Sequence, residues 1–223
     1  MNAEKSEILV RWYLRFNGYF TVENFIVHNP AIVSKDHISN ITETDVLGIR
    51  NCFSHEIAGK LLIANDPALI GAHNTRIDFV VGEVKTGKED KPNKIWRDKN
   101  INAISYLLRF AGFIETEAEL DAVARVLSND GIYIHSGNQY SVRLVLFSQN
   151  GANKNWKHLT QISLEHIVNF ILETRGQCWI ESGIGVASIH YQWDQLINAV
   201  FQAANDHTAD MAERKNRIMA LLA

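Results

Sequence analysis

One stretch, RIDFVVGEVKTGK at residues 76 to 88, constrains the fold of this chain more than any other. Phe79, Val80 and Val81 read as a buried β-strand, yet the strand ends by placing Glu83 and Lys85 two positions apart. Side chains alternate across a strand, so Glu83 and Lys85 emerge on one side, roughly 6 to 7 Å apart along the chain, while Val84 faces the other. Two explanations compete. The pair is either a cross-strand or edge-strand ion pair, worth little in water, or half of an active site.

The elements around this strand define its setting. Ile8, Leu9, Trp12, Tyr13 and Phe16 repeat at helical spacing ahead of Gly18 and predict a first amphipathic helix. YFTVENFIVH and ETDVLGIR read as two strands, the second carrying Glu43, Asp45, Leu47 and Ile49 on one face. The segment between Arg50 and Arg76 is too long for a hairpin, and a short helix is expected around HEIAGKLLIA. After the strand at 77 to 86, a helix is expected from Pro92, with Ile95, Ile101, Ile104, Leu108 and Ala111 as its buried stripe. Another fits ETEAELDAVARVLSND, closed by Gly131. YSVRLVLFSQN reads as a strand, and HLTQISLEHIVNFILETRG as an extended piece entering a helix capped near Ser163. CWIE as a short strand, the loop SGIGVAS and two helical stretches, WDQLINAVFQAAN and TADMAERKNRIMALLA, follow. The order predicts an α/β core with an embellished C-terminal region.

Phosphodiester cleavage needs a water made nucleophilic at neutral pH and neutralisation of charge on the scissile phosphate, and a divalent metal held by carboxylates does both. Magnesium suits the task because it prefers oxygen ligands and needs only one or two carboxylates beside the substrate phosphate. A lysine beside it can orient the attacking water or stabilise developing negative charge. Asp45, Glu83 and Lys85 make up such a set, provided the strands at 43 to 50 and 77 to 86 are neighbours.

TDVLGIR followed by RIDFVVGEVKTGK resembles the PD-(D/E)xK nuclease superfamily, the restriction-endonuclease-like fold. The order of elements over residues 6 to 148 is similar to that fold's helix, three-strand meander, helix and strand. The resemblance implies a central mixed sheet flanked by helices, with residues 1 to 150 as the nuclease-like core and 151 to 223 as a mostly helical extension packed on it. It also implies that Asp45 and Glu83 bind metal, that the Val84 carbonyl contacts it, and that Lys85 is the family's lysine. Glu7 sits where resolvase-like and Mrr-like members place an additional acid on the first helix. The implied activity is hydrolysis of DNA phosphodiester bonds, internal rather than end-on, with magnesium as cofactor and manganese as its substitute. Thr44 stands in place of the family's proline, and NAISY, with Asn102 and Tyr106, is the nearest match to the Q-x-x-x-Y of RecB-like members.

The same residues have plainer readings. Glu7 could pair with Arg11 one helical turn on. Asp78 falls on the opposite strand face from Glu83 and reads as a salt-bridge partner. The nine histidines show no metal-binding spacing and read as surface or core residues, the five tryptophans as packing. Neither SGIGVAS nor GKEDK matches a phosphate-binding loop.

A net charge of −3 argues against a chain coated in phosphate-binding groups, although KTGKEDKPNKIWRDK leaves room for a local basic face. Cys52 and Cys178 have no CxxC partner and are expected to be reduced. No run approaches the roughly 18 apolar residues of a membrane span, and MNAEKSEILVRW lacks a signal-peptide layout. A cytoplasmic protein is expected, with nucleic acid as partner and no membrane. A homodimer would set two sites about a two-fold axis, the simplest way to cut both strands of a duplex. The rival expectation is a nuclease-fold nucleic-acid-binding or assembly module without catalysis.

Overall fold

The computed structural model describes residues 1–34, 37–58, 61–87, 91–93, 96, 102–176 and 194–223. Helix α1 (Ala3–Phe16) opens the chain, its first turn capped by Asn2, whose side chain accepts the Lys5 N–H at 3.1 Å. Strands β1 (Tyr19–Ser34) and β2 (His37–Arg50) form a long antiparallel hairpin. Two-residue strands β3 (Ile57–Ala58) and β4 (Leu61–Leu62), the single-turn helix α2 (Pro67–Ile70) and a 3₁₀ turn at Gly71–Thr75 lead to β5 (Ile77–Lys85). Helices α3 (Asn102–Ala111) and α4 (Glu117–Asp130) then carry the chain across to β6 (Ile132–Ile134) and β7 (Tyr140–Ser148). Strand β8 (Thr160–Ser163), helix α5 (Leu164–Phe170, extended by a π-helical turn at Ile171–Arg175), α6 (Gln195–Ala204) and α7 (Met211–Leu221) follow.

The larger sheet is mixed, six-stranded and flanked by helices, an α/β architecture. Its order is β1-β2-β5-β7-β6, with β8 also paired to β7. Strands β1, β2 and β5 run antiparallel in sequence, whereas β5 and β7 are parallel, from Ile77 opposite Tyr140 to Lys85 opposite Ser148. Strands covered on both faces need apolar side chains on both, which is why FVV in β5 and the whole of β7 are buried. On one face Phe79, Val81, Val142 and Leu144 meet Ile104, Leu108 and Leu127 from α3 and α4. On the other, Val80, Val84, Val145 and Phe147 meet α1, and the same cluster takes in Ile167, Phe201, Ile218 and Leu222 from α5 to α7. The last helix returns to the first: Asn2 N–H donates to the Leu222 carbonyl at 2.8 Å.

Several expectations change. The helix expected around residues 55 to 64 is instead the β3–β4 hairpin, with Ile57 opposite Leu62. Ile57 and Leu62 are exposed and Ile63 is buried, so a helix here would have no apolar face to bury, and short helices gain little without one. The helix begins later, where Asp66 caps and Pro67 occupies the first turn. Strand β6 was not anticipated, because three residues carry no readable period. The expected closure of α4 at Gly131, in the left-handed region at φ 70, and the expected N-terminal cap of α5 at Ser163, accepting the His166 N–H at 3.0 Å, are both present. Pro92 and Asn93, where the helix is expected to start, are not helical, whereas Trp96 is; residues 88–90, 94–95 and 97–101, with most of the basic run, and the expected strand CWIE and loop SGIGVAS lie outside the described residues. Among the described residues, no helix is long and apolar enough to cross a membrane, and Cys52 is a free, exposed thiol.

Candidate active site

Asp45 comes from β2 and Glu83, Val84 and Lys85 from β5, so the site depends on how these two strands pair. The ladder runs from Arg50 opposite Asp78 to Val46 opposite Gly82 and ends there, one residue short of Asp45 and Glu83. There side chains take over from the main chain. Thr44 Oγ1 donates to the Gly82 carbonyl at 3.3 Å, and Asp45 Oδ2 accepts the Val84 N–H at 2.6 Å. The N–H and C=O of one strand residue point the same way, so the Val84 carbonyl opens toward Asp45 as well. Asp45 is thereby held at the point where the two strands stop pairing.

Glu83 is 5% exposed, and its side chain shares a small void with Val81, Trp96, Leu146 and Leu159. Its carboxylate is bound twice. Lys85 Nζ lies 2.6 Å from Oε1, and the Asn93 N–H donates to both oxygens at 2.8 Å. Burial nevertheless raises the Glu83 pKa, and the Asp45 charge adds to that, against the opposing pull of Lys85 and the Asn93 N–H. Asp45 is raised too, first by burial and further by Glu43, with the Val84 N–H and Lys85 opposing.

Glu7 enters from α1. Its pKa is raised by burial and then by Asp45, Glu43 and Glu4, while Lys85 lowers it. The fold therefore gathers Glu7, Asp45, Glu83 and Lys85 into one electrostatic neighbourhood. The plain alternative for Glu7 does not hold: Arg11 binds Glu23 and, at 2.5 Å, Asp194. Nor is β5 an edge strand, since β2 and β7 flank it on either side. Glu83 and Lys85 are an ion pair at the end of a central strand, where surface negative design has no purpose.

The donors are all oxygen, the preference of magnesium and manganese. Among the described residues no three His, Cys, Asp or Glu side chains are close enough to form a ready-made cage. Two carboxylates and a main-chain carbonyl are a sufficient protein contribution for magnesium, which retains waters and takes the rest of its shell from phosphate. The electrostatics fit as well. Glu7, Asp45 and Glu83 are all pushed toward their neutral forms, and the cation that opposes this in each case is Lys85. A divalent ion would reverse that push.

Other singled-out residues sit elsewhere. Asp78 is on the opposite pleat, fully buried, and bound by Arg143, by Tyr19 Oη at 2.5 Å and by Ser141 Oγ at 2.7 Å. Tyr106 packs its ring near Phe25 and His28, and Asn102 is exposed at the start of α3. His73 bonds Ser141 and His166 bonds Asp66, both away from Glu83. Asn93 was missed. The one cue was Pro92 as an expected helix start, since first-turn N–H groups lack helical partners, but the reach to Glu83 is a tertiary event.

Comparison with known protein families, with curated proteins and with solved structures finds no match for this chain.

Proposed function

We propose that this protein is a metal-dependent nuclease of the restriction-endonuclease-like fold that hydrolyses DNA phosphodiester bonds, cutting internally. The observation that carries the reading is that Asp45, just past the end of the β2–β5 ladder, accepts the Val84 N–H at 2.6 Å beside Glu83, which Lys85 binds at 2.6 Å. Asp45, Glu83 and the Val84 carbonyl would hold magnesium, or manganese in its place. When bound, the ion supplies charge neutralisation at the scissile phosphate and makes water a competent nucleophile at neutral pH.

The chain's own residues supply the rest. Asn93 and Val84 N–H groups orient the two carboxylates before substrate arrives, so that little rearrangement is needed when charge develops. The Lys85 ammonium, 2.6 Å from Glu83, would hold the attacking water and offset negative charge on the phosphate oxygens. Glu7, electrostatically linked to Asp45, adds a further acceptor on the α1 side.

A second reading is a nucleic-acid-binding or assembly module of the same fold without catalysis. The observation in its favour is that both Glu83 oxygens already have partners, Lys85 and Asn93. Purified protein with magnesium or manganese, tested on duplex, single-stranded and branched substrates beside Asp45→Ala and Lys85→Ala, separates the two. Cleavage by wild type and its loss in both variants is the expected result. Equal cutting by all three would mark a contaminant and remove the site assignment, and no cutting with intact metal binding would leave the binding module.

A further inference from the structure

The candidate site uses the first turns of α1, and the last turns of the same helix border a cleft of about 880 Å3. Four aromatic rings line it, those of Trp12, Phe16, Tyr19 and Phe20. The Arg15 guanidinium lies over the Trp12 ring, 5.0 Å from its centroid, and Arg15 Nε donates to Thr21 Oγ1 at 2.9 Å. Although Glu23 approaches within 3.8 Å, the Arg15 side chain remains 39% exposed. Phe20, on the rim, is 69% exposed and leaves a ring face open to solvent.

The cleft and the site are joined by one helix stripe. Glu7, Arg11 and Arg15 are spaced four residues apart, so they follow one side of α1. Along that side Glu7 feels Asp45 and Glu43, Arg11 binds Glu23, and Arg15 binds Thr21, the partners descending the β1–β2 hairpin. Eight residues of helix place Arg15 about 12 Å from Glu7. Phosphates of a stacked strand advance ~3.4 Å each, and farther when unstacked, so about four nucleotides would span from Glu7 to the cleft.

We propose that this cleft receives an unpaired nucleobase of the strand being cut, so that the substrate is single-stranded or locally unpaired nucleic acid rather than continuous duplex. The proposal rests on the nuclease reading and narrows its substrate class. A paired base inside a duplex has both faces covered by its neighbours, and only an unstacked base can present a face to a protein ring. Phe20 supplies an exposed ring, and Arg15, over the Trp12 ring, supplies a planar cation that can stack on a base and attract the adjoining phosphate.

The test is fluorescence anisotropy with a labelled oligodeoxynucleotide, single-stranded or annealed to its complement, in the presence of a chelator so that nothing is cut. Wild type should bind the single strand more tightly than the duplex. Phe20→Ala and Arg15→Ala should each weaken single-strand binding about five- to tenfold, leave duplex binding unchanged and leave magnesium binding by calorimetry unchanged. Because Phe20 is exposed, its truncation removes no core packing. Equal affinity for both forms, or single-strand binding unaffected by either substitution, overturns the proposal and assigns the rim to another partner. Failure of the nuclease reading appears separately, as magnesium binding insensitive to Asp45→Ala and Glu83→Gln.

Discussion

Glu83 and Asp78 lie five residues apart on the same strand and illustrate two opposite treatments of a buried carboxylate. Asp78 is stabilised as an anion: burial alone would raise its pKa, but Arg143, Tyr19 and Ser141 together lower it. Glu83 is raised despite its partners, first by burial and further by Asp45, against the pull of Lys85 and the Asn93 N–H. The first pattern belongs to structure and the second fits a site awaiting a cation. Two outcomes follow at this scale. Glu83→Gln should weaken magnesium binding by about tenfold or more and Lys85→Ala by less, measured by calorimetry; the reverse order would count against the roles assigned. Asp78→Ala should destabilise the fold by about 3–5 kcal/mol, since it leaves Arg143 charged and buried with its main partner gone, and denaturant unfolding would read this directly. The alternation of β5 made the separation of the two carboxylates legible in the sequence, because parity alone sets Asp78 and Glu83 on opposite sides of the strand. That Arg143 would be the partner was not legible, as it stands 65 residues away on a strand whose register only the folded sheet sets.

At the scale of elements, the close approach of β2 and β5 decides the site, and Gly82 permits it. A Cβ at Gly82 would come within 2.7 Å of Val46 Cγ1 and 3.0 Å of a Phe147 ring carbon. Gly82→Ala should therefore force β2 away from β5 just where Asp45 meets Val84. The expected cost is ~1–3 kcal/mol of stability, seen as a melting temperature lower by several degrees. Magnesium affinity should fall along with it. A fully stable Gly82→Ala protein with normal metal binding would show that the register tolerates the shift. The long periodic helices α1 and α4 were readable because their apolar residues recur at helical spacing and their ends carry Gly18 and Gly131. The hairpin β3–β4 was misread as helix because IAGKLLIA is apolar without being amphipathic, and local propensity is too weak to decide so short a segment.

For the whole molecule, the paired networks predict a stability profile in two stages. His73 is held down to about 4, first by burial and then by Arg143 and Arg76, with Asp78 opposing. It is thus neutral in the folded protein, while the unfolded chain takes up its proton from the ordinary value of 6.5 downward. Stability should fall as pH drops from 6.5 to about 4, with a slope of at most ~1.4 kcal/mol per pH unit. Asp78 acts below its ordinary value of 3.8, where protonating the unfolded chain removes the stability its lowered pKa provides. Denaturant midpoints across this range, compared with His73→Gln, check the assignment: the variant should flatten the upper stage and leave the lower one intact.

Strand parity, helix periodicity and the order of elements are properties of neighbours in the chain, so the sequence alone determined an α/β core and set Glu83 and Lys85 on one side of a strand, away from Asp78. Only the tertiary structure decided that β5 lies inside the sheet, that Asp45 reaches the Val84 N–H, that the Asn93 N–H binds Glu83 and that Glu7 comes within electrostatic reach of Asp45. Those outcomes join residues 10 to 39 positions apart, and what brings them together is burial of two apolar faces of one sheet, an effect without direction along the chain.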